Sequence, residues 1–513
     1  MTAGHDSLPG LDPETRAAVV ARARRALAPE VHRALVAQNA RLAASAARDV
    51  HLAALASGAA AVVTGQQVGL FLGPLYTLYK AASAIVLARV LAAETGVPVV
   101  PVFWLQTEDH DLVEIASCDV AAGASCETIA VPIDPANRIS IAHLRFPDAI
   151  EARVATLAEL LGSGPDASTH LERVRRHYRA GAAWSDAFAG LLAELFAPEG
   201  LIVIDPRDPA LAAMVAPVHV RAIADAPQIS RALVQRSNEL SRAGKPVPVH
   251  VRAGAPLSFF HPDGAEGPRV RLEPSNRDAF VEVGGERVHA RGAVLAALAA
   301  DPRSCSTSAL LRPIVQDTLL PTAAYVGGPA ELAYFAQLPP LYRAFDRPMP
   351  LIVERGHFRI VHQRARRVLE RLGLTATQLE RCSEPELLAR LRRPIVGDVA
   401  GQLFGPFAAA HQAFASQQAG DHPAIARALA KTRAAVERSV QRFAAKFERL
   451  SAYEDVELVD AVRRARAWLA PDGELQERRL GLPCFAARLG DRYIVERVVA
   501  AAAPFDPSVQ ELS

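Results

Sequence analysis

Residues 52–79 carry no charged side chain. A run of that length must be hidden from water, either in a membrane or in a protein core. Thr64-Gly65-Gln66-Gln67, Gly69, Gly73 and Pro74 all fall inside it. Adjacent glutamines and this spacing of glycine and proline are costly in lipid. We therefore read a buried strand running into a buried loop. Residues 61–64 form the strand, ended by Gly65. Residues 74–95 read as a helix, with proline near its first turn and Gly96 behind its end. Residues 97–104 are a second apolar strand, whose two prolines predict a strand start or a sheet edge. Strand, glycine loop, helix, strand is the rhythm of a parallel sheet.

That rhythm returns at 200–206, 319–328 and 349–354. Residues 12–57 read as helix, 119–147 as strands and turns, and 148–198 as helix again. Residues 246–290 alternate apolar and polar side chains and predict a small β insertion. Residues 361–466 are charged and low in glycine and proline over long runs. Ile425, Leu429, Thr432, Val436, Val440, Phe443, Phe447 and Leu450 recur there in steps of three and four, with one stutter. This is a coiled-coil or helical-hairpin seam, and an amphipathic helix lying on a core is the alternative. The tail from 471 looks strand-like at 492–496 and is expected to pack back on the core. The expected architecture is α/β. A Rossmann-like parallel-sheet core spans 1–360, with a mostly helical insertion near 119–198 and a β-rich one near 246–300. A helical coiled-coil domain at 361–466 and a C-terminal segment at 467–513 follow.

Lys and Arg number 57 and Asp and Glu 55, a net charge of +2. That is no electrostatic footprint for nucleic acid or an anionic membrane. The five cysteines are scattered and form no C-x-x-C pair, which fits a reducing compartment and gives no sign of zinc. The N-terminus has acidic residues and no apolar h-region, so a cytoplasmic protein is expected.

Three constellations could carry chemistry. In the first, Gly65, Gln66, Gln67, Gly69 and Gly73 form a loop that could bring backbone N–H groups to an anion. Tyr76, Thr77 and Lys80 follow on the helix. No G-K-[ST] completes a phosphate-binding loop. The second is Trp104 followed by Glu108, Asp109, His110 and Asp111, with Glu114 beyond. Ligands of open α/β sheets bind past the carboxyl ends of strands, where this acidic cluster falls. It could bind an ammonium group, hold Mg²⁺, or act as a base. The third runs from Arg312 through Asp317 and Tyr325 to Gly327, Gly328 and Glu331. It reads as strand, glycine turn and helix, with Arg312 able to clasp a carboxylate or phosphate. Glu354-Arg355-Gly356-His357 could face the same crevice.

Taken together, these motifs resemble one family, the cysteine-adding enzymes of bacillithiol biosynthesis, BshC. The resemblance rests on G-Q-Q-x-G-L-F-x-G-P-L-Y-T-x-Y-K at 65–80, V-P-V-F-W with E-D-H-D-x-x-E at 100–114, R-P-x-x-Q-D and P-T-x-A-Y-V-G-G-P-A-E-x-A-Y at 312–334, and P-x-G-x-x-Q-E-R at 471–478. It implies a core of the nucleotidyltransferase and class I synthetase type, and a coiled coil that serves homodimerisation. It also implies ligation of L-cysteine to the amine of glucosaminyl malate, with ATP or ADP bound. On this reading Glu108, Asp109, His110, Asp111 and Lys80 are catalytic. The substrate or nucleotide is bound by Gly65, Gln66, Gln67, Gly69, Gly73, Tyr76, Thr77, Trp104, Arg312, Asp317, Tyr325, Gly327, Gly328 and Glu331. Neither H-x-G-H nor K-M-S-K-S occurs, so an aminoacyl-adenylate route is an analogy of fold. A nucleotidyltransferase acting on another small acid or amine is one alternative reading. A non-catalytic dimeric assembly protein is the other.

Overall fold

The computed structural model describes residues 12–276, 278–391, 398–418, 422–452, 456–506 and 508–512. Residues 1–11, part of the stretch read for targeting signals, lie outside them. The chain divides into two units. The first comprises residues up to 120, 127–360 and 477 onward, and the second 121–126 and 361–476.

Five parallel strands build the sheet of the first unit. Their spatial order is Leu351–Glu354, Thr322–Gly327, Ala60–Gln66, Val99–Leu105, Ile202–Ile204. The chain thus starts in the middle, builds outward to one edge, then returns to build the other side. Between Ala60–Gln66 and Thr322–Gly327 the direction of winding reverses, and the loops after these two strands part to leave a crevice.

Both faces of the sheet are covered. Ala61, Val63, Val102, Trp104 and Ile204 enter one apolar cluster with the helices Pro29–Asn39, Pro209–Ala224 and Arg312–Leu319. Ala60, Val62, Ala324 and Val326 enter the other with Leu87 and Leu91 of the helix Tyr76–Thr95. Strands buried on both sides read as continuous apolar runs, which explains the uncharged stretch. The helix Tyr76–Thr95 is long and apolar enough to cross a membrane, yet 67% of its apolar window is buried inside the protein.

Several local expectations change. Residues 12–57 form three helices, Pro13–Ala23, Pro29–Asn39 and Ala46–Ala56. Pro29 opens the second, where its missing N–H costs nothing. Ser45 caps the third by accepting from the Arg48 N–H at 3.1 Å. The strand Val99–Leu105 is interior rather than an edge. It tolerates Pro101 because Ile202–Ile204 pairs only with residues 102–104, leaving Pro101 a strand neighbour on one side. Residues 492–496 belong to the helix Asp491–Ala501, whose buried Ile494, Val495 and Val498 repeat with helical spacing. Arg312 starts a helix, Arg312–Leu319, with Pro313 in its first turn. The β insertion is a five-stranded sheet, in the order Cys305–Thr307, Ser258–Phe260, Val270–Asn276, Ala279–Glu282, Val288–Ala290.

In the second unit, Val399–Gln418 packs on Pro423–Ala452 as a hairpin within the chain, with His411 Nε2 2.9 Å from the Leu429 carbonyl. Ile425, Phe443, Phe447 and Leu450 of the seam remain exposed. The helix Val456–Leu469 packs against Gln363–Leu372 and Ala376–Arg381. The C-terminal segment therefore rejoins the core at 477, not 467.

Candidate functional site

A cleft of about 360 Å³ opens at the switch point. Gly65, Gln66 and Gln67 reach it from the end of the first strand, and Gln106, Glu108 and Asp109 from the end of the second. Gly328 and Glu331 reach it from the turn after Thr322–Gly327. Gly65 permits close approach of two strands: a Cβ there would lie 2.8 Å from the Trp104 carbonyl oxygen.

Lys80 organises the centre. It is buried, and its ammonium donates to the Gly65 carbonyl and to Gln66 Oε1, both at 2.9 Å, and pairs with Glu331. Its three N–H donors are thereby committed. Lys80 thus holds Gln66 and Glu331 in place. Gln66 Nε2 in turn donates to the Tyr76 hydroxyl at 3.2 Å, and burial pushes that phenol up to about 12. Glu331 also accepts from the Gly328 N–H at 2.8 Å and the Tyr325 hydroxyl at 2.5 Å. Burial favours its neutral form, but Lys80 and these donors hold the carboxyl below its ordinary range.

One group of lining residues is acceptor-rich. Gln67 Nε2 donates to Asp109 Oδ2 at 3.1 Å and to Glu114 Oε2 at 2.9 Å. Its Oε1 is buried with no partner. Arg269 holds the other Asp109 oxygen at 2.8 Å while lying over the Phe259 ring. Glu108 accepts from Thr307. Desolvation, with Asp111 and Asp109 nearby, raises the Glu114 carboxyl above its ordinary range. A second group is cationic. Arg312 is buried, and its Nη1 and Nη2 donate to Gln316 Oε1 at 2.7 Å and the Tyr334 hydroxyl at 3.0 Å. Its Nε has no partner among the described residues. Arg355 and Arg478 join it. An amine and an anion on one small molecule suit these two groups.

The other predicted residues lie off the lining. Gly69 and Gly73 serve the loop itself. A Cβ on Gly69 would sit 2.9 Å from Gly73 Cα, and Phe71, Leu72 and Gly73 all take positive φ. The loop faces the interior, where the Tyr178 hydroxyl accepts from the Leu72 N–H at 3.1 Å and the Trp184 indole N–H donates to the Val68 carbonyl at 2.6 Å. Gly69→Ala is expected to cost about 1–3 kcal/mol in denaturant unfolding while leaving the turnover of the folded fraction unchanged. A loss of turnover without a loss of stability would return this glycine to the site. Thr77 is buried behind the loop with its hydroxyl unpartnered. Trp104 is core. Asp317 is buried and accepts from the Tyr342 hydroxyl at 2.6 Å. Tyr325 acts from behind through Glu331, and Gly327 accepts from the Arg355 N–H at 2.9 Å. His110 stands between Arg269 and Arg138, at 3.3 and 3.2 Å. Burial and Arg269 lower its basicity. Asp111 caps the short helix Leu112–Ile115.

The lining also includes residues that the sequence reading left out of the site. Glu114, Tyr334 and Arg478 sit inside motifs already noted. Arg269, Thr307 and Ser308 come from the β insertion and its return, where no motif marked them. Among the described residues no group of three His, Cys, Asp or Glu side chains is placed to hold a metal.

A doubly covered parallel sheet with a charged cleft at its switch point defines a Rossmann-like α/β protein with a small-molecule site. Residues 13–356 match the family model described as "Bacillithiol biosynthesis BshC, N-terminal Rossmann-like domain", and this chain belongs to the BshC family. Relatives named "Putative cysteine ligase BshC" include one from Koribacter versatilis, 37% identical over 90% of this chain and 86% of the relative. Another, from Salinibacter ruber, is 34% identical over 92% and 86%. A third, from Solibacter usitatus, is 33% identical over 84% and 80%.

Proposed function

We propose that this chain is a ligase that joins the carboxyl of L-cysteine to the amine of glucosaminyl malate, with ATP activating the carboxyl. The observation that carries this reading is the pairing, in one cleft, of unpartnered Gln67 Oε1 among carboxylates with unpartnered Arg312 Nε. A carboxylate resists attack because its oxygen leaves poorly. A phosphoryl or adenylyl group taken from ATP makes that oxygen a leaving group. The amine nitrogen then bonds to the carbonyl carbon, the C–O bond to the activated oxygen breaks, and the nitrogen gives up a proton. In this proposal Gln67 Oε1 and Asp109 orient the amine. Glu114, whose raised basicity suits it to the task, takes the proton. Arg312 receives a malate carboxylate or a phosphate, and its unpartnered buried donor fits either anion. Mg²⁺ would enter chiefly on phosphate oxygens. Homodimerisation through the exposed seam of the helical hairpin belongs to the same reading.

Mass spectrometry of the purified protein with cysteine, glucosaminyl malate, ATP and Mg²⁺ is the test, with each component omitted in turn. Bacillithiol is expected only in the complete mixture. Glu114→Gln is expected to lower kcat by roughly 10²–10⁴-fold and to remove the acidic limb of its pH profile. Full turnover in that variant would take Glu114 out of the mechanism, and product without ATP would overturn the activation step.

A further inference from the structure

A second cavity, of about 520 Å³, opens at the carboxyl ends of the Val99–Leu105 and Ile202–Ile204 strands. It shares no lining residue with the first: Leu105 lines this one, and Gln106, the next residue, lines the other. The proposed ligation gives it no task.

Its wall includes the first turn of the helix Trp184–Leu195. No side chain caps that helix, because its N-cap is Ala183. The Trp184 N–H donates to the Leu144 carbonyl at 3.0 Å, but the next two N–H groups, of Ser185 and Asp186, find no acceptor among the described residues. The Ser185 side chain gives the independent observation. Ser185 is 6% exposed and lines the cavity, and its hydroxyl makes no hydrogen bond among the described residues. Buried polar groups in native proteins find partners, and the uncapped start of a helix favours negative charge.

The exposed side chains around the opening fit that charge. Among the described residues neither Arg41 nor Arg179 uses its guanidinium in a hydrogen bond or ion pair. Arg145 donates to the Gly181 carbonyl at 2.9 Å. Arg176 and His177 are already held by Glu194, at 2.9 and 3.0 Å. Two acids also line the cavity, Asp186 and Asp205. Asp205 accepts from the Thr107 hydroxyl at 2.5 Å and the Arg207 N–H at 3.0 Å, and burial raises its carboxyl above the ordinary range. Asp186 is exposed, so its charge is screened by water.

We propose that this cavity binds the anionic group, a phosphate or a carboxylate, of a small molecule. The anion sits on the Ser185 hydroxyl and the Ser185 and Asp186 amides, faced by Arg41 and Arg179.

The test is calorimetric titration of the full-length Arg312→Gln protein, in which the arginine proposed to receive the anion in the first cleft is replaced, so that binding that the cavity substitutions weaken belongs to the second cavity. Inorganic phosphate and L-malate are the two probes. Saturable binding of at least one is expected. Tighter phosphate identifies a phosphorylated ligand, and tighter malate a carboxylate. Adding Ser185→Ala, or Arg41→Ala with Arg179→Ala, is expected to weaken binding roughly ten-fold each. The two arginines are exposed, so their replacement is expected to leave the melting temperature unchanged. Absence of saturable binding by either anion, or affinities unmoved by the cavity substitutions, would overturn the proposal. Neither outcome bears on the ligase reading, which is tested by product formation.

Discussion

Lys80→Met is expected to lower turnover by at least about a hundred-fold and stability by about 3–5 kcal/mol. Lys80 is 4% exposed, and its ammonium joins the Gly65 carbonyl, Gln66 and Glu331. Without it Glu331 keeps the Gly328 N–H and the Tyr325 hydroxyl but loses its cation. An uncompensated buried carboxylate costs more than the pair contributed. Gln66 also loses the donor that fixes its carbonyl oxygen, and with it the orientation of the strand end. The double variant Lys80→Met with Glu331→Gln removes both charges. It is expected to recover most of the stability, because a neutral pair leaves no buried charge unpaired, yet to recover no turnover. Denaturant unfolding and the ligation assay on the two variants separate the roles. A single variant as stable as the wild type would show that the ion pair does not hold the cleft together. A double variant with restored turnover would show that its charges are dispensable to the chemistry.

Stability is expected to decline at alkaline pH by up to about 3 kcal/mol, through one histidine next to the cleft. Arg355 Nη1 and Nη2 meet the two Glu477 oxygens at 2.8 and 2.6 Å. His357 lies 2.9 Å from Glu477 and 3.1 Å from Glu354. Burial opposes protonation of His357, but the two carboxylates raise it to about 9. Burial likewise opposes ionisation of Glu477, but Arg355 and His357 bring it down to about 2. A raised histidine stabilises fully below its ordinary value of 6.5, and that contribution is lost as pH rises through about 9. The depressed Glu477 stabilises above its ordinary 4.5, and its share is lost as pH falls through about 2. Both describe one interaction, so the two losses do not add. His357→Gln is expected to flatten the alkaline decline. Glu477→Gln is expected to flatten it too and to cost about 3–5 kcal/mol at neutral pH, because Arg355 is then buried without its carboxylate. Unfolding free energies across this range, for the wild type and both variants, provide the check. A wild-type profile flat to pH 10 would mean that His357 is not held as a cation.

The same residues show how far the sequence could be read. Apolar runs at 61–64 and 97–104, Gly65 after the first, and between them a stretch with Pro74 near its start and Gly96 behind its end were enough for a parallel sheet, because strands buried on both faces and helix ends obey local rules. Gln66, Gln67, Glu108, Asp109, Gly328 and Glu331 were legible as a site because they lie at or beyond strand ends, Lys80 because it follows the glycine loop on its helix, and Arg312 because its guanidinium can clasp an anion, and all of them line the cleft. Gly69 and Gly73 obey the same local signal, yet they serve the backbone: a loop built for a ligand and a loop built for its own packing need the same glycines. Pro101 misled because its cost depends on how far the neighbouring strand extends, which no local pattern encodes.

The sequence by itself determined the apolar strands of the central sheet, the βαβ rhythm and the family, since periodicity, caps and motifs are properties of neighbouring residues. Only the tertiary structure decided the strand order, and with it the switch point where the cleft opens. It also decided that Lys80 spends its charge on Glu331, that Arg269 arrives from a separate sheet, and that Glu477 at the far end of the chain clamps Arg355. Each of these joins residues remote in sequence. Such contacts are set by how the faces pack, and packing is a property of the whole chain.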